Sequence, residues 1–102
     1  MSGKSSRRKG FSFEREVVNQ FKEAGIPAKR AYGSNGASMG MHPEVDVVAG
    51  KKTFQLKRTK SVAAKYKPSD AVYGQIFRED RGESYVLIRL KDYIELASAD
   101  DA

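Results

Sequence analysis

Glu44-Val45-Asp46-Val47-Val48-Ala49-Gly50-Lys51-Lys52-Thr53-Phe54-Gln55-Leu56-Lys57 is the stretch on which the fold turns. It divides into two short β-prone runs around Ala49–Lys52, whose Gly50 suits a tight turn. Side chains alternate across a strand, so Val45, Val47, Phe54 and Leu56 fall on one face. Glu44, Asp46, Gln55 and Lys57 fall on the other. The expectation is a hairpin with one buried apolar face and one polar face. The polar face gathers a carboxylate, an amide oxygen and an ammonium on neighbouring strands. Such a set suits a divalent cation beside a group that orients water.

Working outward, Phe13, Val17 and Phe21 recur every four residues, with Val18 widening the stripe. The spacing predicts a helix starting between Gly10 and Ser12 and running to about Ala24, stopped by Gly25 with Pro27 just beyond. Glu14 lies at the edge of that stripe, where a buried charge requires a partner. A favourable charge in the first helical turn is the plainer reading. Ala28–Tyr32 suits a first strand, and Gly33–Met41, rich in Gly, Ser and Asn, a long loop. It lacks the Gly-Lys-Ser/Thr ending of a Walker-type phosphate loop. Toward the C-terminus, Ser69 is placed to cap a helix from Asp70 to about Glu79, since Val72, Tyr73, Ile76 and Phe77 fit helical spacing. Arg81-Gly82 marks a turn. Ser84–Leu90, nearly unbroken in β-prone residues, suits a buried strand. Asp92–Ala97 reads as a short last helix.

The expected fold class is therefore α/β, a small mixed sheet flanked by helices in the order α-β-β-β-α-β-α. A basic flexible arm over residues 1–9, one domain over 10–97 and a frayed acidic tail over 98–102 complete the division.

Composition narrows the function. The 102 residues carry a net charge of +6 and no cysteine. Disulfides and thiolate metal sites are thereby excluded. No apolar run approaches a membrane span and no secretory signal opens the chain, so a soluble intracellular protein with no membrane partner is expected. Residues 1–68 hold 15 Lys/Arg against 5 Asp/Glu, whereas residues 69–102 hold 4 against 8. The basic part contains the polar hairpin face, and Lys and Arg gain affinity for polyanions by releasing counterions from phosphates. The expected substrate is a phosphodiester polymer rather than a small molecule.

Hydrolysing a phosphodiester requires charge neutralisation, an activated water and a stabilised leaving oxygen. Mg²⁺ held by a few protein oxygens supplies most of this. Asp46 is the first candidate ligand, with the Gln55 side-chain oxygen and the Leu56 carbonyl beside it and Glu14 as an outer ligand. Lys57 is placed to orient water or offset developing charge. Against this stands an ordinary exposed Asp–Lys pair across two strands. His42, the only histidine, is a proton carrier, a DNA contact or simply a solvated loop residue. Ser34 has no His-Asp partners and suits a phosphate contact better than a nucleophile. Tyr32, Tyr66 and Tyr73 are candidates for stacking on exposed bases, although Tyr73 reads as core.

Several blocks then fit one pattern. Arg8-Lys9-Gly10 followed by Phe13-Glu14-Arg15-Glu16-Val17-Val18, Arg30-Ala31-Tyr32-Gly33-Ser34, Val45-Asp46-Val47-Val48-Ala49-Gly50 and Lys57-Arg58-Thr59-Lys60 resemble, in order and spacing, the motifs of archaeal-type Holliday-junction resolvases. The resemblance covers most of residues 8–60. It implies a PD-(D/E)xK nuclease fold, Mg²⁺-dependent cutting of branched DNA with Mn²⁺ able to substitute, and a homodimer. It also implies a prokaryotic host, with a virus or mobile element as a possible source. Carried over, Glu14 and Asp46 are acidic metal ligands, Gln55 stands at the second strand carboxylate, Lys57 is the motif lysine and Ser34 lies near the scissile phosphate. Arg7, Arg8, Lys9, Arg30, Ser34, Lys57, Arg58 and Lys60 are the expected DNA contacts. Gln55 is a departure, since the family has Glu there. Related nucleases, among them some restriction enzymes, also carry Gln at this position. Two alternatives stand beside the resolvase reading: a nuclease that nicks duplex or damaged DNA, and a non-catalytic DNA-binding module with a decayed site.

Overall fold

A computed structural model describes residues 3–31 and 40–101, with side chains for 12–31 and 40–99. Two compact units form, Met1–Arg58 and Thr59–Asp100. In the first, helix α1 (Gly3–Glu23) precedes strands β1 (Ala28–Arg30), β2 (Val47–Ala49) and β3 (Lys52–Phe54). In the second, a 3₁₀ turn at Ala64–Tyr66 precedes strands β4 (Gly74–Arg78) and β5 (Ser84–Ile88) and helix α2 (Leu90–Asp101).

The stripe on α1 is realised as Glu14, Val17, Val18 and Phe21, all buried. Their spacing of three and four residues keeps them on one side of the helix. That side packs on β1 and β2. The helix stops where expected, in a Schellman arrangement. Gly25 N–H donates to Lys22 O at 2.9 Å and Ile26 N–H to Phe21 O at 2.9 Å, with Gly25 at φ +84°. Ile26 and Phe21 are both buried, closing the apolar contact that accompanies this cap. The start differs from expectation. The helix reaches back to Gly3 and takes in the segment read as an arm, because Lys and Arg are good helix formers and nothing between Lys4 and Gly10 breaks the chain.

The three strands form an antiparallel sheet in the order β1-β2-β3. Ala28 pairs with Ala49 and Arg30 with Val47, while Val47 pairs with Phe54 and Ala49 with Lys52. Gly50 and Lys51 form the two-residue turn, with Gly50 at φ +60° and Lys51 outside the positive-φ region, the pattern of a type II′ hairpin. Val45, Val47 and Ala49 are buried. The Phe54 ring stacks on Phe21 with centroids 5.8 Å apart. Each large side chain removed from water this way contributes about 1.5–3 kcal/mol.

The second unit departs from the expected order. Only one turn forms after Ser69, whose hydroxyl accepts the Ala71 N–H at 3.3 Å while Val72 N–H donates to Ser69 O at 3.2 Å. The chain then enters β4, where a helix was expected through Glu79. Gly74 is the physical reason. A Cβ there would meet Ile88 Cγ2 at 2.5 Å and Leu87 O at 2.7 Å, so the close approach of β5 depends on glycine, itself a poor helix former. Gln75, Ile76 and Phe77 also alternate as a strand requires, pairing with Leu87, Val86 and Tyr85. Among the described residues the strands thus form two antiparallel pieces, of three and two strands, where one mixed sheet was expected. β5 is not the buried strand expected: Tyr85 and Val86 are exposed, as is Tyr73. The last helix begins two residues early and continues through Asp101, taking in most of the segment read as a frayed tail.

Arg89, just before α2, ties this unit together. Its guanidinium donates to Val72 O at 3.2 Å, Pro68 O at 3.2 Å and Ser69 O at 2.9 Å, with Asp70 at 3.7 Å. One planar fork thereby satisfies three carbonyls of the turn that leads into β4.

Candidate active site and family

The polar face of the β2–β3 hairpin forms as the alternation dictates. Val45 and Val47 are buried, Asp46 between them is half-exposed, and Gln55 and Lys57 are exposed on either side of half-buried Leu56. The ladder ends earlier than expected, however. β2 begins at Val47 and β3 ends at Phe54. Asp46 N–H still donates to Phe54 O at 2.8 Å, and Asp46 O accepts Ala31 N–H at 2.9 Å. The next amide along, Leu56 N–H, goes to the Asp46 carboxylate, donating to Oδ2 at 2.8 Å. The aspartate side chain therefore replaces a strand carbonyl at this edge. It fixes Gln55 and Lys57 on either side of Leu56 without extending the sheet. Oδ1 of Asp46 has no hydrogen bond among the described residues.

Glu44 and Gln55 line one surface cleft of about 290 Å³, together with His42, Val45, Thr53 and Phe54. His42 serves the local backbone. Its Nδ1 accepts Glu44 N–H at 3.1 Å and its carbonyl accepts Val45 N–H at 3.0 Å. In that arrangement a neutral imidazole carries its proton on Nε2.

Glu14 has a different setting. It is 5% exposed, and Oε1 lies 3.5 Å from Arg30 Nε. The partner that a carboxylate at a buried helix edge requires is thus supplied by β1. Arg30 pairs with Val47, so its side chain leaves the sheet on the face that α1 covers, opposite to Asp46. Arg30, expected as a DNA contact, is engaged with Glu14. Arg58 and Lys60 are exposed. Ser34 lies outside the described residues, as do Tyr32 and the loop up to Met39, and Arg7, Arg8 and Lys9 lie outside the described side chains.

Among the described residues no group of three or more His, Cys, Asp or Glu side chains stands close enough to hold a metal ion. The donor set still fits a small hard cation, because Mg²⁺ retains several waters and needs only one or two carboxylates. Asp46 Oδ1, the Gln55 amide oxygen and the Leu56 carbonyl are the oxygen donors that the residues of this strand edge can offer. The Asp46–Leu56 hydrogen bond is the feature that sequence reasoning missed. Its only signal was an Asp on one strand near the end of its pairing with the next.

The family model described as archaeal Holliday junction resolvase matches residues 5–99. The chain belongs to this family. No curated protein and no solved structure matched. In this family member the match spans the polar hairpin and both units, well beyond the motifs of residues 8–60. Membership places it among resolvase-type nucleases acting on DNA. No described helix is long and apolar enough to cross a membrane.

Proposed function

We propose that this protein is a metal-dependent endonuclease that cuts branched DNA as a homodimer. The observation that carries the reading is the Asp46 carboxylate, anchored by Leu56 N–H at 2.8 Å on the polar face that also bears Gln55 and Lys57. Family membership makes DNA the partner. Asp46, Gln55 and the Leu56 carbonyl would hold Mg²⁺, or Mn²⁺ in its place. The ion, when bound, neutralises phosphate charge and makes its bound water a stronger acid. Lys57 offsets charge developing on the phosphate and positions the attacking water. Glu44, in the same cleft as Gln55, supplies part of the negative charge that Gln55 lacks relative to Glu. Glu14, paired with Arg30 on the sheet face opposite to Asp46, would serve as an outer ligand only after leaving Arg30 and moving past the sheet edge. Otherwise it holds α1 to β1. Arg7, Arg8, Lys9, Arg58 and Lys60 grip the phosphates, with Ser34 near the scissile one.

The homodimer is supported by apolar surface that the monomer leaves bare. Ile76 and Val86, paired across β4 and β5, are 79% and 65% exposed. A two-stranded hairpin is marginal without something against its face.

The non-catalytic alternative rests on Gln55 alone, and metal-dependent cleavage separates it from the nuclease reading. Asp46→Asn is the decisive variant. An Asn oxygen still accepts Leu56 N–H, so the strand edge keeps its bond while the ligand charge is lost. Cleavage should be abolished and DNA binding nearly retained. Undiminished cutting would remove Asp46 from the site.

A further inference from the structure

The second unit carries a pocket that the nuclease reading does not use. Phe77 and Tyr85 are a registered pair on β4 and β5, so their rings stand side by side on one face. Tyr66, from the 3₁₀ turn, meets Phe77 edge-on with centroids 5.0 Å apart. These three rings, with Val86, Leu87, Arg78 and Glu79, line a pocket of about 520 Å³. That is within the roughly 300–1,000 Å³ usual for small-ligand sites. Lys65 Nζ lies 5.0 Å from the centre of the Tyr66 ring. Tyr66 and Tyr85 are 41% and 58% exposed, so both rings can be reached from solvent.

We propose that this pocket binds one unstacked nucleobase of the DNA substrate. The chemistry of the lining matches a nucleotide in three respects. The aromatic rings offer π-faces, on which any base stacks. The Glu79 carboxylate accepts hydrogen bonds, as the amino edge of a base provides. Arg78 and Lys65 supply positive charge for the adjoining phosphate. A purely apolar occupant would leave Glu79 and Arg78 without a role, and a simple cation would be repelled by Arg78 and Lys65. The inference rests on the nuclease reading for its DNA partner and deepens it, since a base at a branch point is easier to unstack than one within a continuous duplex.

The test uses the full chain, a four-way junction with 2-aminopurine at a branch-point position, and no Mg²⁺, so that binding is read without cutting. Saturating protein should change the 2-aminopurine fluorescence several-fold at one or more branch-point positions, with little change at the matched position in a duplex. Tyr66→Leu and Tyr85→Leu should abolish the change and weaken junction binding by roughly 5- to 150-fold. Tyr85→Phe, which keeps the ring, should preserve both. Both tyrosines are surface side chains, and circular dichroism of each variant establishes that it is folded. An unresponsive probe with saturated wild type overturns the inference, as does a wild-type response from the leucine variants. Loss of self-association in Tyr85→Leu, with the signal unchanged, assigns the pocket to a second copy of the chain and also overturns it. Cleavage of the same junction by wild type in Mg²⁺ separates the two failures. A protein that cuts but gives no signal lacks only the base pocket, whereas one that does not cut lacks the nuclease activity.

Discussion

At the scale of single residues, the proposed site gives Asp46 two jobs on one carboxylate. Oδ2 completes the strand edge by accepting Leu56 N–H, while Oδ1, without a hydrogen bond among the described residues, would be the ligand. A hydrogen bond to a charged group is worth about 1.5–3 kcal/mol, so the edge that presents Gln55 and Lys57 is anchored rather than loose. Gln55 is the residue whose role can be read most directly by adding charge. With Gln55 as a ligand, Gln55→Glu should tighten Mg²⁺ binding, with cleavage persisting or rising. A Mg²⁺ titration of both proteins measures this. Lost activity at unchanged metal affinity would take Gln55 off the ligand set. Glu14 illustrates the opposite case. Its burial was legible from the helical stripe, and so was its need of a partner. That the partner would be Arg30 was not, because the register bringing β1 beneath α1 is a tertiary fact.

At the scale of elements, two glycines act for different reasons, and the difference is measurable. Gly25 needs its left-handed φ of +84° and has open space around a would-be Cβ. Gly25→Ala should therefore cost about 1–2 kcal/mol, the conformational penalty of an L-residue there, and Gly25→Asn noticeably less. Gly74 needs space instead, and Gly74→Ala should cost about 1–3 kcal/mol by forcing β4 from β5. Asn should be no better tolerated at that position. Urea denaturation of the four variants checks both. The same contrast explains what was legible in the sequence. The stop of α1, its buried stripe and the alternation of the 44–57 hairpin are local patterns, and the chain follows them. The expected helix over Asp70–Glu79 met a competing pattern. Val72, Tyr73, Ile76 and Phe77 fit a helix by spacing, but Gly74 and the alternation of residues 75–77 fit a strand. Pairing with the strongly β-prone Ser84–Ile88 run decides it. The reach of α1 back to Gly3 was missed because a basic, polar segment carries no apolar period to betray a helix.

At the scale of the whole molecule, the apolar pair Ile76 and Val86 and the basic 1–68 segment point to assembly and to DNA respectively. Wild type should sediment as a dimer at micromolar concentration. Ile76→Lys, a change at a position 79% exposed and therefore mild for the monomer, should sediment as a monomer. Only monomer in wild type, with or without DNA, would refute the dimer. The proposed dimer, with two sites in its basic 1–68 segments, would engage the diverging arms of a branch, while a linear duplex would meet fewer of those charges. Every phosphate that the protein fails to neutralise flattens the slope of log K against log salt by about 0.9 on B-DNA, so junction binding should be both tighter and more salt-dependent. The most direct test is cleavage of a four-way junction beside the matched duplex, with and without Mg²⁺, by wild type and Asp46→Asn. The expected result is cutting by wild type in Mg²⁺ alone, faster on the junction, with none by Asp46→Asn. Equal rates on junction and duplex, or cutting that survives removal of Mg²⁺ or of the Asp46 charge, would contradict it.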